Sequence, residues 1–121
     1  MDLPITGEQL RVRSSGPHVI VLTAGAYEIR VESELVVHRA AGSVSHRLAG
    51  ETRVDDLTEA VDGVIVSATV ESDGELRIDL DSGQRLVVEP DRFFEAWTVT
   101  DPGRYLVVCM PGGELAVWTS D

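Results

Sequence analysis

The side chains able to do chemistry are few, and their spacing assembles little. There are three imidazoles, His18, His38 and His46. If Ala40-Ala41-Gly42 turns a hairpin with Arg39 opposite Ser43, His38 faces Val44 and His46 faces Val36. That register would set the two imidazoles on a diagonal of one face. A metal site generally needs three or four ligands, and no carboxylate or cysteine completes a set within that hairpin, so no metal is expected. Cys109 lies inside the apolar run Leu106-Val107-Val108-Cys109-Met110. An activated thiolate needs an electropositive, half-open setting, so Cys109 reads as a core thiol. Asp55-Asp56, Asp79 with Asp81, and Asp91 with Glu95 are paired carboxylates. A glycosidase-type pair needs one raised and one ordinary pKa across a cleft, usually lined by aromatic rings, and the chain has only two Trp, two Tyr and two Phe. Ser14, Ser15, Ser43 and Ser45 carry no Gly-x-Ser-x-Gly elbow. A Walker loop, a His-Glu-x-x-His pair and a Cys-x-x-Cys pair are all missing from the sequence. These residues predict no catalytic, metal or cofactor site, and hence a protein that is not an enzyme.

Charge is the stronger signal. The 121 residues carry a formal net charge of −11 with histidine neutral, and every basic residue is arginine. Acids and arginines cancel over residues 1–50, so the whole excess falls in residues 51–121. Such a field repels phosphate backbones and attracts basic partners. With no basic run to displace counterions, nucleic-acid binding is not expected. No apolar run approaches the roughly 20 residues that cross a bilayer. Met1-Asp2-Leu3-Pro4 lacks the basic-then-apolar pattern of a secretion signal. The single cysteine excludes an internal disulfide. A cytoplasmic location without membrane attachment is the expectation.

The elements that must position these groups are mainly strands. Short alternating runs are punctuated by Gly, Pro, Ser and Asp. Val19-Ile20-Val21-Leu22 reads as a strand covered on both faces. Tyr27, Ile29 and Val31 alternate with Glu28, Arg30 and Glu32. Leu35 to Arg39 and Ser43 to Leu48 read as a hairpin. Over 55–62, Leu57, Ala60 and Val61 share one helical face behind two amino-terminal acids, which predicts a helix of about two turns. From Val64 onward the pattern predicts a continuous antiparallel meander of five or six strands. In it Val64, Val66, Ala68 and Val70 would share a face, Leu76, Ile78 and Leu80 would point inward, and a strand would run from Phe93 to Thr100. Gly112-Gly113 fits a tight turn, since no helix follows it. The expected fold is a single mainly β domain over 1–121, an antiparallel meander forming a sandwich or partly open barrel with one short helix.

Phe93-Phe94-Glu95-Ala96-Trp97, followed by Pro111-Gly112-Gly113-Glu114-Leu115-Ala116-Val117-Trp118, resembles the carboxy-terminal signature of a group of small, uncharacterised, mainly actinobacterial proteins. Val64 to Ala68 with Gly74-Glu75-Leu76 is similar to that group's preceding hairpin. The resemblance covers about the last sixty residues and implies a shared fold, with no activity attached. On the residues themselves, Trp97 and Trp118 are both expected in the core, with their indole nitrogens hydrogen-bonded.

The function expected from these features is a non-enzymatic, acidic protein-binding module, of the immunity or inhibitor kind. Glu71, Asp73, Glu75, Asp79 and Asp81 are the candidate residues for covering a basic protein partner. Two other classes remain open. One is a structural domain that pairs with itself through a sheet edge to make a homodimer, and the other is a small-molecule-binding β domain.

Overall fold

The computed structural model describes the backbone of residues 1–39, 45–48 and 54–119, and the side chains of 1–39 and 57–119. Among these residues the alternating runs fold as eleven strands and one helix. They are β1 (Gln9–Ser15), β2 (Ile20–Ala24), β3 (Tyr27–Val31), β4 (Leu35–His38), β5 (Ser45–Leu48), α1 (Val54–Ala60), β6 (Gly63–Val70), β7 (Leu76–Leu80), β8 (Arg85–Val88), β9 (Trp97–Asp101), β10 (Tyr105–Cys109) and β11 (Leu115–Thr119). The strands lie in the order β11-β10-β9-β3-β2-β1-β6-β7-β8-β4-β5. Each pairing is antiparallel, and the outermost strands do not meet, so the sheet is not closed into a barrel.

The seam between β1 and β6 is short, Gln9↔Val64 and Leu10↔Gly63. It divides the sheet into a six-strand half, β11 to β1, and a five-strand half, β6 to β5. Both contribute to a single apolar cluster that includes Leu22, Ile29, Val99 and Val107 from the first and Leu35, Ile78 and Leu86 from the second. Past the seam the free side of β6 is covered by the amino-terminal segment. Leu3 N–H donates to Ala68 O (2.9 Å), Gly7 N–H to Ile65 O (2.7 Å), and Val70 N–H to Met1 O (2.8 Å). Leu3 and Ile5 are buried there. The helix docks its Leu57, Ala60 and Val61 face into the core, which is how so short a helix survives. The side chains of Asp55 and Asp56 lie outside the described residues, as do residues 40–44 of the predicted β4–β5 turn.

The structure corrects four sequence expectations. The chain after Val64 is two three-strand meanders, not one. β8 pairs with β4 and β9 with β3, so residues 89–96 cross from one half to the other. Short loops fix neighbours only within each meander. In β6 the register shifts between Ile65 and Ser67, a bulge that changes which residues face inward. Ile65, Ala68 and Val70 are therefore buried while Val66 is 53% exposed. Arg92 to Phe94 form a bend, and β9 begins only at Trp97. Trp97 is fully buried, but Trp118 is 51% exposed on the edge strand β11. Leu76, Ile78 and Leu80 point inward and are buried, as the alternation predicts.

Candidate functional site

On the outer side of the five-strand half, strand alternation gathers the charges. β7 turns Leu76, Ile78 and Leu80 to the core, which leaves Glu75, Arg77 and Asp79 on the other face. The register then sets Asp79 opposite Arg85 of β8, and Arg85 opposite His38 of β4. Two residue pairs along, on the same face, Arg77 stands opposite Val87 and Val87 opposite Val36. The result is a concavity of about 790 Å³, whose wall includes Glu34, Val36, His38, Glu75, Arg77, Asp79, Arg85, Val87 and Glu89.

The five predicted partner-binding acids have two different jobs. Glu71 and Glu75 both pair with Arg77, at 2.6 Å to Nη1 and 2.7 Å to Nε. Asp79 pairs with Arg85 Nε at 2.7 Å. These hydrogen-bonded carboxylates raise both guanidinium pKa values, so the arginines stay charged throughout the accessible pH range. Asp73 and Asp81 act on backbone instead. Asp73 Oδ1 accepts from Glu75 N–H (3.0 Å) in the β6–β7 turn, and Asp81 Oδ1 accepts from Val64 N–H (2.9 Å) beside the seam. Of the five, only Glu75 and Asp79 line the concavity. Ion pairs this exposed add little stability. Their effect is to hold carboxylates and guanidinium groups in fixed alternation.

Glu34, Val36 and His38 come to the site through the β4–β8 pairing, which joins segments almost fifty residues apart in sequence. No local signal announces that neighbour. The imidazole pair fails for a related reason. β5 pairs so that His38 stands opposite Ser45 and His46 opposite Val37. The register is one residue off the predicted one, so the two histidines occupy positions of opposite parity. Among the described residues no group of three or more His, Cys, Asp and Glu is placed to hold a metal ion.

The second ordered region is the junction between the halves. Trp97 Nε1 donates to the carbonyl of Gly74 (3.0 Å), and the Cys109 thiol donates to the same oxygen (3.5 Å). Gly74, at φ +95°, lies against Gly113, at φ +97°. A Cβ on Gly74 would come within 2.8 Å of the Gly113 Cα, so the two hairpin turns can touch only as glycines. Burial pushes the Cys109 thiol pKa up and keeps it neutral. The Gly-Gly turn and the buried indole thus clamp the β10–β11 turn onto the β6–β7 turn.

A protein-family model matches residues 1–119. The chain belongs to DUF6188, a family of unknown function. The match takes in both halves of the sheet and the seam. No curated protein and no solved structure matches this DUF6188 chain. No helix among its described residues is long and apolar enough to cross a membrane.

Proposed function

We propose that the chain is a non-enzymatic, cytoplasmic protein-binding module that receives a basic partner on the concave outer face of β7, β8 and β4, in the manner of an immunity or inhibitor protein. The observation that carries this reading is the ordered charge array of the concavity, Glu75–Arg77 and Asp79–Arg85 with Glu34 and Glu89 on its wall, and Glu71 holding Arg77 from outside the lining, in a chain of net charge −11. Fixed carboxylates lose little conformational freedom when a partner's cations arrive, and the overall field speeds the encounter. The Trp97–Gly74–Gly113 clamp serves the fold, at a place apart from the residues that line the concave face.

The test is calorimetric titration of the purified chain with basic proteins encoded beside its gene. Affinity is expected to fall by roughly tenfold or more from low to physiological salt, and again when Glu71 and Glu75 are changed to glutamine. Undetectable binding of every such neighbour at low salt would remove the reading.

A second reading, self-association into a homodimer, is favoured by β11. Among the described residues that strand pairs on one side only, is uncharged from Leu115 to Thr119, and exposes Val117 and Trp118. Natural edges are usually guarded by charge or proline, and this one is not. Light scattering decides it: a mass near 13.1 kDa at all concentrations excludes the dimer.

A further inference from the structure

Phe93 and Phe94 are the most exposed large apolar side chains among the described residues, at 77% and 66%. The backbone beneath them is nonetheless well tied. Asp91 Oδ1 accepts from the N–H of Phe93 (2.8 Å) and of Phe94 (3.1 Å). Gly112 N–H donates to Asp91 O (2.7 Å), and Ala96 N–H donates to Cys109 O (3.1 Å), so both ends of the bend are fastened to the β10–β11 hairpin. Glu32 N–H also donates to Ala96 O (2.9 Å), which joins the two segments that cross between the halves. Two rings held outward on fixed backbone offer contact area at small ordering cost. The core makes no use of them. Around them the segment 89–95 carries Glu89, Asp91 and Glu95 against Arg92. Glu89 and Pro90 also belong to the wall of the charged concavity, so the aromatic pair follows that wall within a few residues along the chain.

We infer that Phe93 and Phe94 are the apolar anchor of the docking surface, and that its occupant is a partner protein bearing an apolar pocket rimmed by arginine or lysine. This rests on the protein-binding reading above and specifies the partner's chemistry. Charge complementarity selects the occupant. A second copy would bring Glu89, Asp91 and Glu95 against like charges, and an anionic bilayer would repel both the bend and the chain's net charge. A cationic rim around an apolar pocket matches the rings and the carboxylates together. Aromatic anchors seated in pockets dominate binding energy where the surrounding contacts are polar.

The probe is a fluorescein-labelled amphipathic helix of about 18 residues, leucine on one face and arginine on its flanks, titrated with the full chain and followed by anisotropy. Phosphatidylcholine vesicles with and without phosphatidylglycerol form the second arm. The wild-type chain should bind the peptide, and Phe93→Ser with Phe94→Ser should weaken it roughly tenfold or more at an unchanged melting temperature, while leucine at both positions keeps most of the affinity. Glu71→Gln with Glu75→Gln should flatten the salt dependence. If the serine variant binds like wild type while the glutamine variant weakens, the anchor is wrong and the charged face survives. If only the serine variant weakens, the anchor stands and the charged face fails. Absence of wild-type binding, or co-flotation of the chain with vesicles, overturns the inference.

Discussion

Trp97 and Trp118 lie in the same half of the sheet with only β10 between their strands, yet one is wholly buried and the other is half exposed. Trp97 lies beneath the β6–β7 turn of the other half, which supplies both cover and an acceptor, the Gly74 carbonyl. Trp118 lies on the last strand, where four consecutive residues from Ala116 to Thr119 are exposed on both faces. Strand pattern assigns a residue to one side of the pleat. Whether that side is covered depends on where the opposing layer ends, and the cover ends before β11. An identical residue type therefore holds the fold together in one place and offers an exposed edge in the other.

The largest expected effect tests that contrast directly. Trp97→Ala should cost about 3–5 kcal/mol in urea denaturation, since it empties a buried indole site. Trp118→Ala should stay within about 1 kcal/mol, the range of surface substitutions that remove little packing. Equal losses at the two positions would mean that β11 is covered in solution. A smaller effect is expected at the turn that clamps the halves. Gly113→Ala adds a Cβ that would come within 3.1 Å of the Asp73 carbonyl carbon and closer still to its oxygen, on top of a positive φ. Gly112→Ala meets the same kind of φ, +87°, but nothing within 4 Å. Gly112→Ala should cost about 1 kcal/mol and Gly113→Ala about 1–3 kcal/mol more, both read from the denaturation midpoint. Matching losses would show that the two turns do not touch.

The contrast also shows which parts of the fold local pattern could supply. Alternation places Leu76, Ile78 and Leu80 inward, and the i, i+3, i+4 spacing of Leu57, Ala60 and Val61 places the helix, because both depend only on near neighbours in the chain. The inward run of β6 fails at Val66 because a bulge inserts one residue, and composition does not mark it. Of the candidate site, alternation alone puts Glu75 and Asp79 on the outer face. Arg77 reaches Glu75 from two residues along the chain, Arg85 reaches Asp79 through the β7–β8 register, and Val36 and His38 of β4, with Glu34 just before it, arrive through a pairing that the spacing of hairpins cannot announce. The roles of Asp73 and Asp81 as backbone acceptors needed the turn geometry itself.

The smallest expected effect uses pH to separate the buried region from the edge. Burial raises the Cys109 thiol pKa in the folded chain, whereas in the unfolded chain the thiol ionises near about 8.5. A raised folded pKa means that the stabilisation is complete below the unfolded value and is lost as pH climbs through the folded one. Tyr105, raised mainly by its own burial, adds a loss of the same sign at higher pH. Stability should thus decline on the alkaline side, and Cys109→Ala should decline less steeply than wild type just above pH ~8.5 even though its stability at neutral pH is lower. The same thiol should resist a disulfide reagent until the chain unfolds, because Cys109 is fully buried beside the Gly74 carbonyl. Rapid labelling of the native chain, with an unchanged alkaline slope in Cys109→Ala, would show that the junction opens to solvent. The Trp97–Gly74 clamp would then be as loosely covered as the β11 edge.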